Sequence, residues 1–169
     1  MLKKDVLFIC VHNSARSQMA EAYVRLLSDG KITVESAGFE PTEINPLVVE
    51  AMQEEGIDLS GKMTQSVFEL FKQGSAYRFV ITVCDESEGG QCPIFPGMTH
   101  RLHLPFPDPS KLTGTHEEKL AKVREIRDEI RALMRDFVKW EKAGTRGQLG
   151  KTWERVDIQG EAAKQAGEA

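Results

Sequence analysis

Short apolar runs alternate along the chain with longer stretches that are apolar on one side only. Residues 6–10 and 79–83 are continuous apolar runs, typical of strands buried on both faces of a parallel sheet. Residues 32–36 alternate and are rich in β-branched side chains, and a weaker pattern of the same kind covers residues 101–104. The pattern predicts four strands.

Helical spacing of apolar residues predicts three helices in the first half of the chain. The first follows residue 16 and stops at Gly30, a residue suited to a helix end. The second begins at Asn45 and Pro46, a capping residue followed by a proline in the first helical position. A shorter helical piece covers residues 66–72.

A long amphipathic helix is predicted near the end of the chain. Thr115 and Glu118 form a capping box at its start, and Gly144 marks its end. Strands that alternate with helices favour right-handed crossovers and a parallel sheet. We therefore expect a three-layer α/β fold, a four-stranded parallel sheet with helices on both faces, in which ligands bind at the carboxyl ends of the strands.

Length and composition limit the classes of protein. The 169 residues, 40% of them hydrophobic, suit one catalytic domain at 1–143 and a polar tail at 144–169 that is weakly ordered or peripheral. A net charge of −4 argues against nucleic acid as a partner. The first residues are too few and too polar for a signal peptide or a membrane span, which favours a cytoplasmic protein. Three cysteines favour reactive roles over a disulfide framework.

The strongest chemical signal is the segment from Cys10 to Ser17, between the first strand and the first helix. A loop there can direct backbone N–H groups inward, and Arg16 adds a planar fork suited to tetrahedral oxyanions. The positive electrostatic field of these N–H groups and of Arg16 should lower the pKa of Cys10 from about 8.5 toward about 3.5–7.5. Ser17 donates to the thiolate, caps the helix, or does both, and Asn13 either clamps the loop or is a simple turn residue. The alternative is that Cys10 is a buried structural cysteine at the end of a strand and Arg16 an ordinary residue at the start of a helix.

A second signal is the pair Cys84 and Cys92, which brackets a polar segment containing two adjacent glycines. Such a segment can bend until the two sulfur atoms meet, which favours a redox pair. The alternative is one core cysteine and one incidental exposed cysteine. No residue with metal-ligand spacing lies nearby, so a zinc site is not expected.

A third signal is Asp108, which lies between Pro107 and Pro109. The prolines prevent regular structure and fix the direction of the aspartate, as suits a general acid held over a pocket. The alternative is a rigid aspartate in a turn. The four histidines have no ligand spacing and are interpreted as surface or packing residues: His12, His100, His103 and His116.

Together these residues carry a family resemblance. The chain resembles the low-molecular-weight tyrosine phosphatase fold, and within it the thioredoxin-coupled arsenate reductases, from about residue 4 to about residue 140. The residues that match are Cys10, Asn13, Arg16, Ser17, Ser36 to Gly38, Cys84, Cys92, Asp108 and Pro109. The resemblance implies that the loop binds the substrate through Val11, His12, Asn13, Ser14, Ala15 and Arg16.

The resemblance also implies a mechanism. Cys10 would attack arsenate held by Arg16 and the loop, while Asp108 protonates the departing oxygen. Cys84 would then attack Cys10 and release arsenite. Cys92 would take over the disulfide and carry it to the surface, where thioredoxin or a glutaredoxin-like reductant reduces it. Each sulfur step is ordinary thiol–disulfide exchange.

Some members of the family bind potassium beside the loop. The matching residues here are Asn13, Glu21 and Ser36, but the matching acidic position holds Gln65. The resemblance therefore implies at most a weak potassium site, and no other cofactor.

Two other functions are compatible with the sequence. A phosphatase acting on phosphotyrosine or small phosphomonoesters needs only Cys10, Arg16 and Asp108. Ser110 and Lys111 follow the Asp-Pro pair where such phosphatases usually place aromatic residues, which argues against a phosphotyrosine slot. A non-enzymatic oxyanion or redox sensor that contacts a partner through its tail ranks below both.

Overall fold

The computed structural model describes residues 3–84 and 100–145, together with the backbone of residues 154–156 and 162–163. Four parallel strands lie side by side in the order β2-β1-β3-β4. Their bounds are Lys4–Cys10 for β1, Val34–Gly38 for β2, Tyr77–Thr82 for β3 and His100–His103 for β4. Two short antiparallel strands, β5 (Glu154–Val156) and β6 (Ala162–Ala163), extend the sheet beyond β4.

Among the described residues, four helices connect these strands, each beginning close to its predicted start. Their bounds are Arg16–Leu27 for α1, Pro46–Gln53 for α2, Val67–Lys72 for α3 and His116–Lys142 for α4. The side chains of Asn45, Ser66 and Thr115 accept a backbone hydrogen bond at the starts of α2, α3 and α4. These bonds satisfy amides that have no partner inside the helix.

The side chains of β1 alternate between the two faces of the sheet, and both faces are buried. Val6, Phe8 and Cys10 join the larger core, to which α1, α2 and α4 contribute. Leu7 and Ile9 join a smaller core on the opposite face, which α3 covers. A strand buried on both faces needs a continuous apolar sequence, which is what residues 6–10 supply.

The predicted four-stranded parallel sheet with helices on both faces is confirmed. The second strand ends at Gly38 rather than Ser36, because it pairs with β1 as far as Cys10. β5 and β6 were not predicted. The division into a catalytic domain at 1–143 and a tail at 144–169 stays a prediction. No helix in the described part of the chain has the length and apolar character needed to cross a bilayer.

Candidate active site

The loop between β1 and α1 directs its carbonyl groups outward. Amides of the segment 40–45 bind them, in the pairs Glu40 N to Val11 O (2.9 Å), Thr42 N to His12 O (3.0 Å) and Asn45 N to Ser14 O (2.9 Å). In a trans peptide the following N–H points opposite to the carbonyl. The amides of His12, Asn13 and Ala15 therefore point away from the segment 40–45. This orientation suits an oxyanion site.

The Cys10 sulfur lies at the floor of this loop, and the residue is only 2% exposed. The Asn13 N–H donates to Cys10 Sγ at 3.1 Å, and Ser17 Oγ lies 2.8 Å from the same sulfur. Helix α1 begins at Arg16, and its N-cap residue Ala15 makes no side-chain capping bond. Ser17 is therefore a partner of the Cys10 sulfur and not the helix cap.

Asn13 joins the loop to its surroundings. Its backbone is left-handed, with φ of 54°, a conformation that asparagine tolerates better than most residues. Its Nδ2 donates to Ser17 Oγ and to Ser36 Oγ, each at 2.9 Å. Its Oδ1 accepts from the backbone N–H of Gln65 at 3.0 Å and from Gln18 Nε2 at 3.1 Å. The side chain thus uses both ends of its amide to hold the loop.

The residues that match a potassium site do not fit a bound cation here. The Ser36 hydroxyl donates to Glu21 Oε1 at 3.2 Å, and the Lys62 ammonium lies 2.8 Å from Glu21 Oε2. Asn13 turns its N–H toward Ser36, and Gln65 Nε2 donates to the Ser36 carbonyl oxygen at 2.9 Å. Positive or donor groups therefore face the oxygen atoms that a cation would need.

Gly38, the last residue of β2, lies against the back of the loop. A Cβ at this position would lie 2.7 Å from Asn13 N and 2.7 Å from Val11 O, both backbone atoms. Real Cβ contacts are not this short, and backbone atoms cannot rotate away as a side chain does. The loop geometry therefore depends on the absence of a side chain at residue 38.

Replacement of Gly38 by alanine should displace the loop. We expect a loss of stability of about 1–3 kcal/mol from overpacking. Phosphate affinity should fall by about 10- to 100-fold, because shifts near 1 Å disrupt a positioned site. Calorimetry with and without phosphate measures both effects. Gly61→Ala is the matched control, since a Cβ there meets nothing within 4 Å. Unchanged phosphate affinity in Gly38→Ala would contradict the assigned role.

Arg16 and Asp108 meet at the loop from opposite sides. Arg16 Nη2 lies 3.6 Å from Asp108 Oδ2, and its Nη1 donates to the Phe106 carbonyl oxygen at 3.1 Å. Asp108 Oδ1 accepts from the backbone N–H and the hydroxyl of Ser110, at 2.9 and 2.8 Å. One carboxylate oxygen is thus held by the turn Pro109–Lys111, and the other is directed toward the guanidinium.

A cavity of about 650 Å³ lies at the loop and contains an aromatic pair that sequence reasoning missed. Its lining residues are Val11, His12, Phe39, Glu40, Phe68, Asp108 and Lys111. The rings of Phe39 and Phe68 lie 5.8 Å apart, and Phe68 is 52% exposed. A signal was present, because Val67 and Leu70 already supply the buried positions of α3, which leaves Phe68 off the core face.

Cys84 follows β3 and lies close to the backbone of β1. It is 1% exposed, and its sulfur lies 3.8 Å from the carbonyl oxygen of Ile9, the residue before Cys10. Cys84 is disulfide-bonded, whereas Cys10 is a free thiol. Cys92 lies outside the described residues.

The four histidines make local contacts. These are His12 Nδ1 with Glu40 O at 3.1 Å, His103 Nδ1 with Thr82 Oγ1 at 2.7 Å, His116 Nε2 with Glu50 Oε2 at 2.9 Å, and His100 stacked on Phe79. Among the residues that the structure describes, no group of three or more His, Cys, Asp or Glu side chains is placed to hold a metal ion.

Comparison with known proteins places this geometry in a family. The family model described as low molecular weight phosphotyrosine protein phosphatase matches residues 5–148. The arsenate reductase of Halalkalibacterium halodurans is 39% identical over 81% of this chain and 96% of its own length. The arsenate reductase of Bacillus subtilis is 37% identical over the same shares.

Solved structures agree. The thioredoxin-dependent arsenate reductase of Corynebacterium glutamicum superposes with a TM-score of 0.61 and 30% identity, covering 85% of this chain and 64% of that one. The predicted resemblance is confirmed. The chain belongs to the low molecular weight phosphotyrosine protein phosphatase family and, within it, to the arsenate reductases.

Proposed function

We propose that the chain reduces arsenate to arsenite through a thiolate adduct on Cys10 and a relay of three cysteines. The observation that carries the proposal is the placement of two sulfur atoms at one edge of the sheet. Cys10 is a free thiol beneath an oxyanion loop. Cys84 is disulfide-bonded, and its sulfur lies 3.8 Å from the carbonyl oxygen of Ile9, the residue before Cys10. A phosphatase of this family would need only the first of them.

The first step uses the loop, Arg16 and Asp108. The inward amides and the guanidinium bind the arsenate oxygens as charge-assisted hydrogen-bond donors. The Cys10 thiolate attacks the arsenic atom, and a sulfur–arsenic bond replaces one arsenic–oxygen bond. Asp108 gives a proton to the departing oxygen, which leaves as water. Its place in the lining of the cavity at the loop supports this role.

The second step moves electrons. The Cys84 thiolate attacks the Cys10 sulfur and forms a Cys10–Cys84 disulfide. The electron pair of the broken sulfur–arsenic bond stays on arsenic, which leaves as arsenite, reduced from the pentavalent to the trivalent state. Neighbouring strands lie about 4.8 Å apart, and both cysteines belong to the same core cluster, which supports this direct transfer.

The third step clears the active site. Cys92 attacks Cys84, which releases Cys10 as a thiolate and leaves a Cys84–Cys92 disulfide. The disulfide-bonded Cys84 and the free Cys10 support this end state. Thioredoxin is the proposed reductant, as named for the relative from Corynebacterium glutamicum. A glutaredoxin-like reductant is the alternative. Either reductant fits the predicted cytoplasmic location.

Hydrolysis of phosphomonoesters is the second candidate function, and the cavity favours it. Cys10, Arg16 and Asp108 suffice for the chemistry. The Phe39–Phe68 pair supplies an aromatic wall that Ser110 and Lys111 do not. We therefore expect a side activity on aryl phosphates.

Measuring both activities on one preparation distinguishes arsenate reduction from phosphomonoester hydrolysis as the main function. Arsenate-dependent oxidation of thioredoxin, coupled to thioredoxin reductase and NADPH, should exceed hydrolysis of p-nitrophenyl phosphate when both are compared as kcat/KM. Phosphatase activity without arsenate-dependent oxidation would overturn the reductase proposal in favour of the second candidate. Phosphate should inhibit both reactions competitively, because both substrates occupy the same loop.

A further inference from the structure

An ion pair with a buried carboxylate lies beside the active-site loop and has no part in the proposed chemistry. Glu21 lies on α1 with its side chain 2% exposed, and its Oε2 lies 2.8 Å from the Lys62 ammonium. Lys62 comes from the segment between α2 and α3, and its side chain is 31% exposed. Arg25 also approaches Glu21 Oε2, at 3.4 Å, but it is 53% exposed and donates to the Val34 carbonyl oxygen as well. Lys62 is therefore the closer and more buried counter-charge.

Hydrogen bonds connect this ion pair to the Cys10 sulfur. The steps are Ser36 Oγ to Glu21 Oε1 (3.2 Å), Asn13 Nδ2 to Ser36 Oγ (2.9 Å), Asn13 Nδ2 to Ser17 Oγ (2.9 Å), and Ser17 Oγ with Cys10 Sγ (2.8 Å). The orientation of the Asn13 amide is fixed, because its other end accepts from the backbone N–H of Gln65, which can only donate.

The directions of these bonds follow from the charge on Glu21 at one end and from the fixed Asn13 amide in the middle. A carboxylate only accepts, so the Ser36 hydroxyl gives its hydrogen to Glu21 and offers a lone pair to Asn13. Asn13 then donates to Ser17 Oγ as well. The hydroxyl hydrogen of Ser17 is left for the Cys10 sulfur, where it stabilises a thiolate. The ionised Glu21 thus sets the donor direction of the Ser36 hydroxyl, and the Gln65 N–H sets that of the Asn13 amide and, through it, of Ser17.

A buried carboxylate needs a positive partner, because an unpaired charge in the interior costs far more than a paired one. We propose that Lys62 is this partner, a built-in counter-ion that takes the place of a bound monovalent cation. Lys62 is a positioning residue. It keeps Glu21, and through it Ser17, oriented toward Cys10, and it makes the loop independent of potassium. The inference concerns the same loop as the proposed function but does not depend on the identity of the substrate.

Lys62→Met tests the proposal in buffer whose only added cation is tetramethylammonium. The readouts are the rate of Cys10 alkylation by iodoacetamide, followed by peptide mass mapping, and the protection of Cys10 by inorganic phosphate. We expect alkylation to slow and phosphate affinity to fall, each by about 10- to 100-fold, because the sulfur loses its positioned donor. Neither readout needs arsenate, so the result is independent of reductase activity.

Addition of KCl should rescue Lys62→Met and leave the wild type unchanged. Removal of the lysine side chain leaves the Glu21 carboxylate and the Ser36 hydroxyl, and oxygen atoms are the ligands that hard cations prefer. Rescue by potassium is a result that a merely structural lysine would not give. Wild-type alkylation by Lys62→Met in potassium-free buffer would overturn the proposal, and so would a defect that potassium does not relieve.

Three further variants separate charge from packing. Lys62→Arg keeps the charge and should behave as the wild type. Lys72→Met is the matched control, because Lys72 pairs with Glu69 on the exposed side of α3 and such pairs contribute little. Arg25→Met should have less effect than Lys62→Met, and the reverse order would overturn the assignment of Lys62 as the counter-ion.

A double variant covers the case in which Lys62→Met does not fold. Glu21→Gln combined with Lys62→Met removes both charges, so no unpaired buried charge is left. We expect this double variant to fold and its phosphate affinity to be indifferent to KCl. A response of the double variant to potassium would overturn the proposal, because no carboxylate is left to bind the cation.

Discussion

Replacement of Cys10 by serine should abolish arsenate reduction and phosphomonoester hydrolysis together, each by at least about 10⁴-fold. A serine hydroxyl is not ionised at neutral pH and is a poor nucleophile without a neighbouring base. It also cannot form a disulfide with Cys84, so the electrons have no second route. Both activities should be measured on one preparation, by thioredoxin oxidation and by release of p-nitrophenol.

Binding should survive this substitution. Serine is close in size to cysteine, and its oxygen stays within reach of Ser17 Oγ and the Asn13 N–H. The loop amides and Arg16 are unchanged, so phosphate should still raise the thermal unfolding temperature of Cys10→Ser, as any ligand of the native state does. Retained binding with lost turnover assigns the defect to the nucleophile. Sustained reduction by Cys10→Ser would rule out the thiolate adduct.

The parts of the fold that follow from local signals were predicted from the sequence. The buried strands need continuous apolar runs, which are visible in the sequence. Three helices begin at a capping residue, Asn45, Ser66 or Thr115, whose side chain accepts from a backbone amide two or three residues later, so a short segment of sequence predicts each start. β5 and β6 could not be predicted in this way. They have three and two residues, and they form only because an adjacent strand offers its edge.

The residues of the candidate site also differ in whether a local sequence signal predicts them. Cys10 and Arg16 are close in sequence and their loop has a recognisable context, so the sequence alone predicts the oxyanion site. Lys62 carries no local signal of function, and the only signal for Phe68 is its place off the core face of α3. The role of Lys62 becomes visible only because the fold brings it to the buried carboxylate of Glu21, and that of Phe68 because its ring packs beside Phe39 in the cavity lining. Long-range contacts of this kind depend on tertiary packing, which single-sequence patterns do not encode.

Replacement of Cys92 by serine should limit the enzyme to one arsenite for each protein molecule. In Cys92→Ser the first two steps proceed, and the chain stops as a Cys10–Cys84 disulfide because no thiol is left to attack Cys84. In Cys84→Ser the adduct on Cys10 has no internal attacker, so arsenite release should fall below one equivalent. Rapid-quench measurement of arsenite and mass mapping of the disulfides distinguish the two variants.

The proposed relay requires the Cys10–Cys84 and Cys84–Cys92 disulfides to form in turn. Phosphatase activity provides the control, because hydrolysis needs neither Cys84 nor Cys92, and both serine variants should keep the wild-type rate on p-nitrophenyl phosphate after reduction by dithiothreitol. Thioredoxin-linked turnover that continues in Cys92→Ser would show that the reductant reaches the Cys10–Cys84 bond directly. The burial of both cysteines, 2% and 1% exposed, argues against that route. A protein reductant must contact the sulfur that it attacks, so a disulfide between two buried cysteines has to be carried outward before thioredoxin can reduce it.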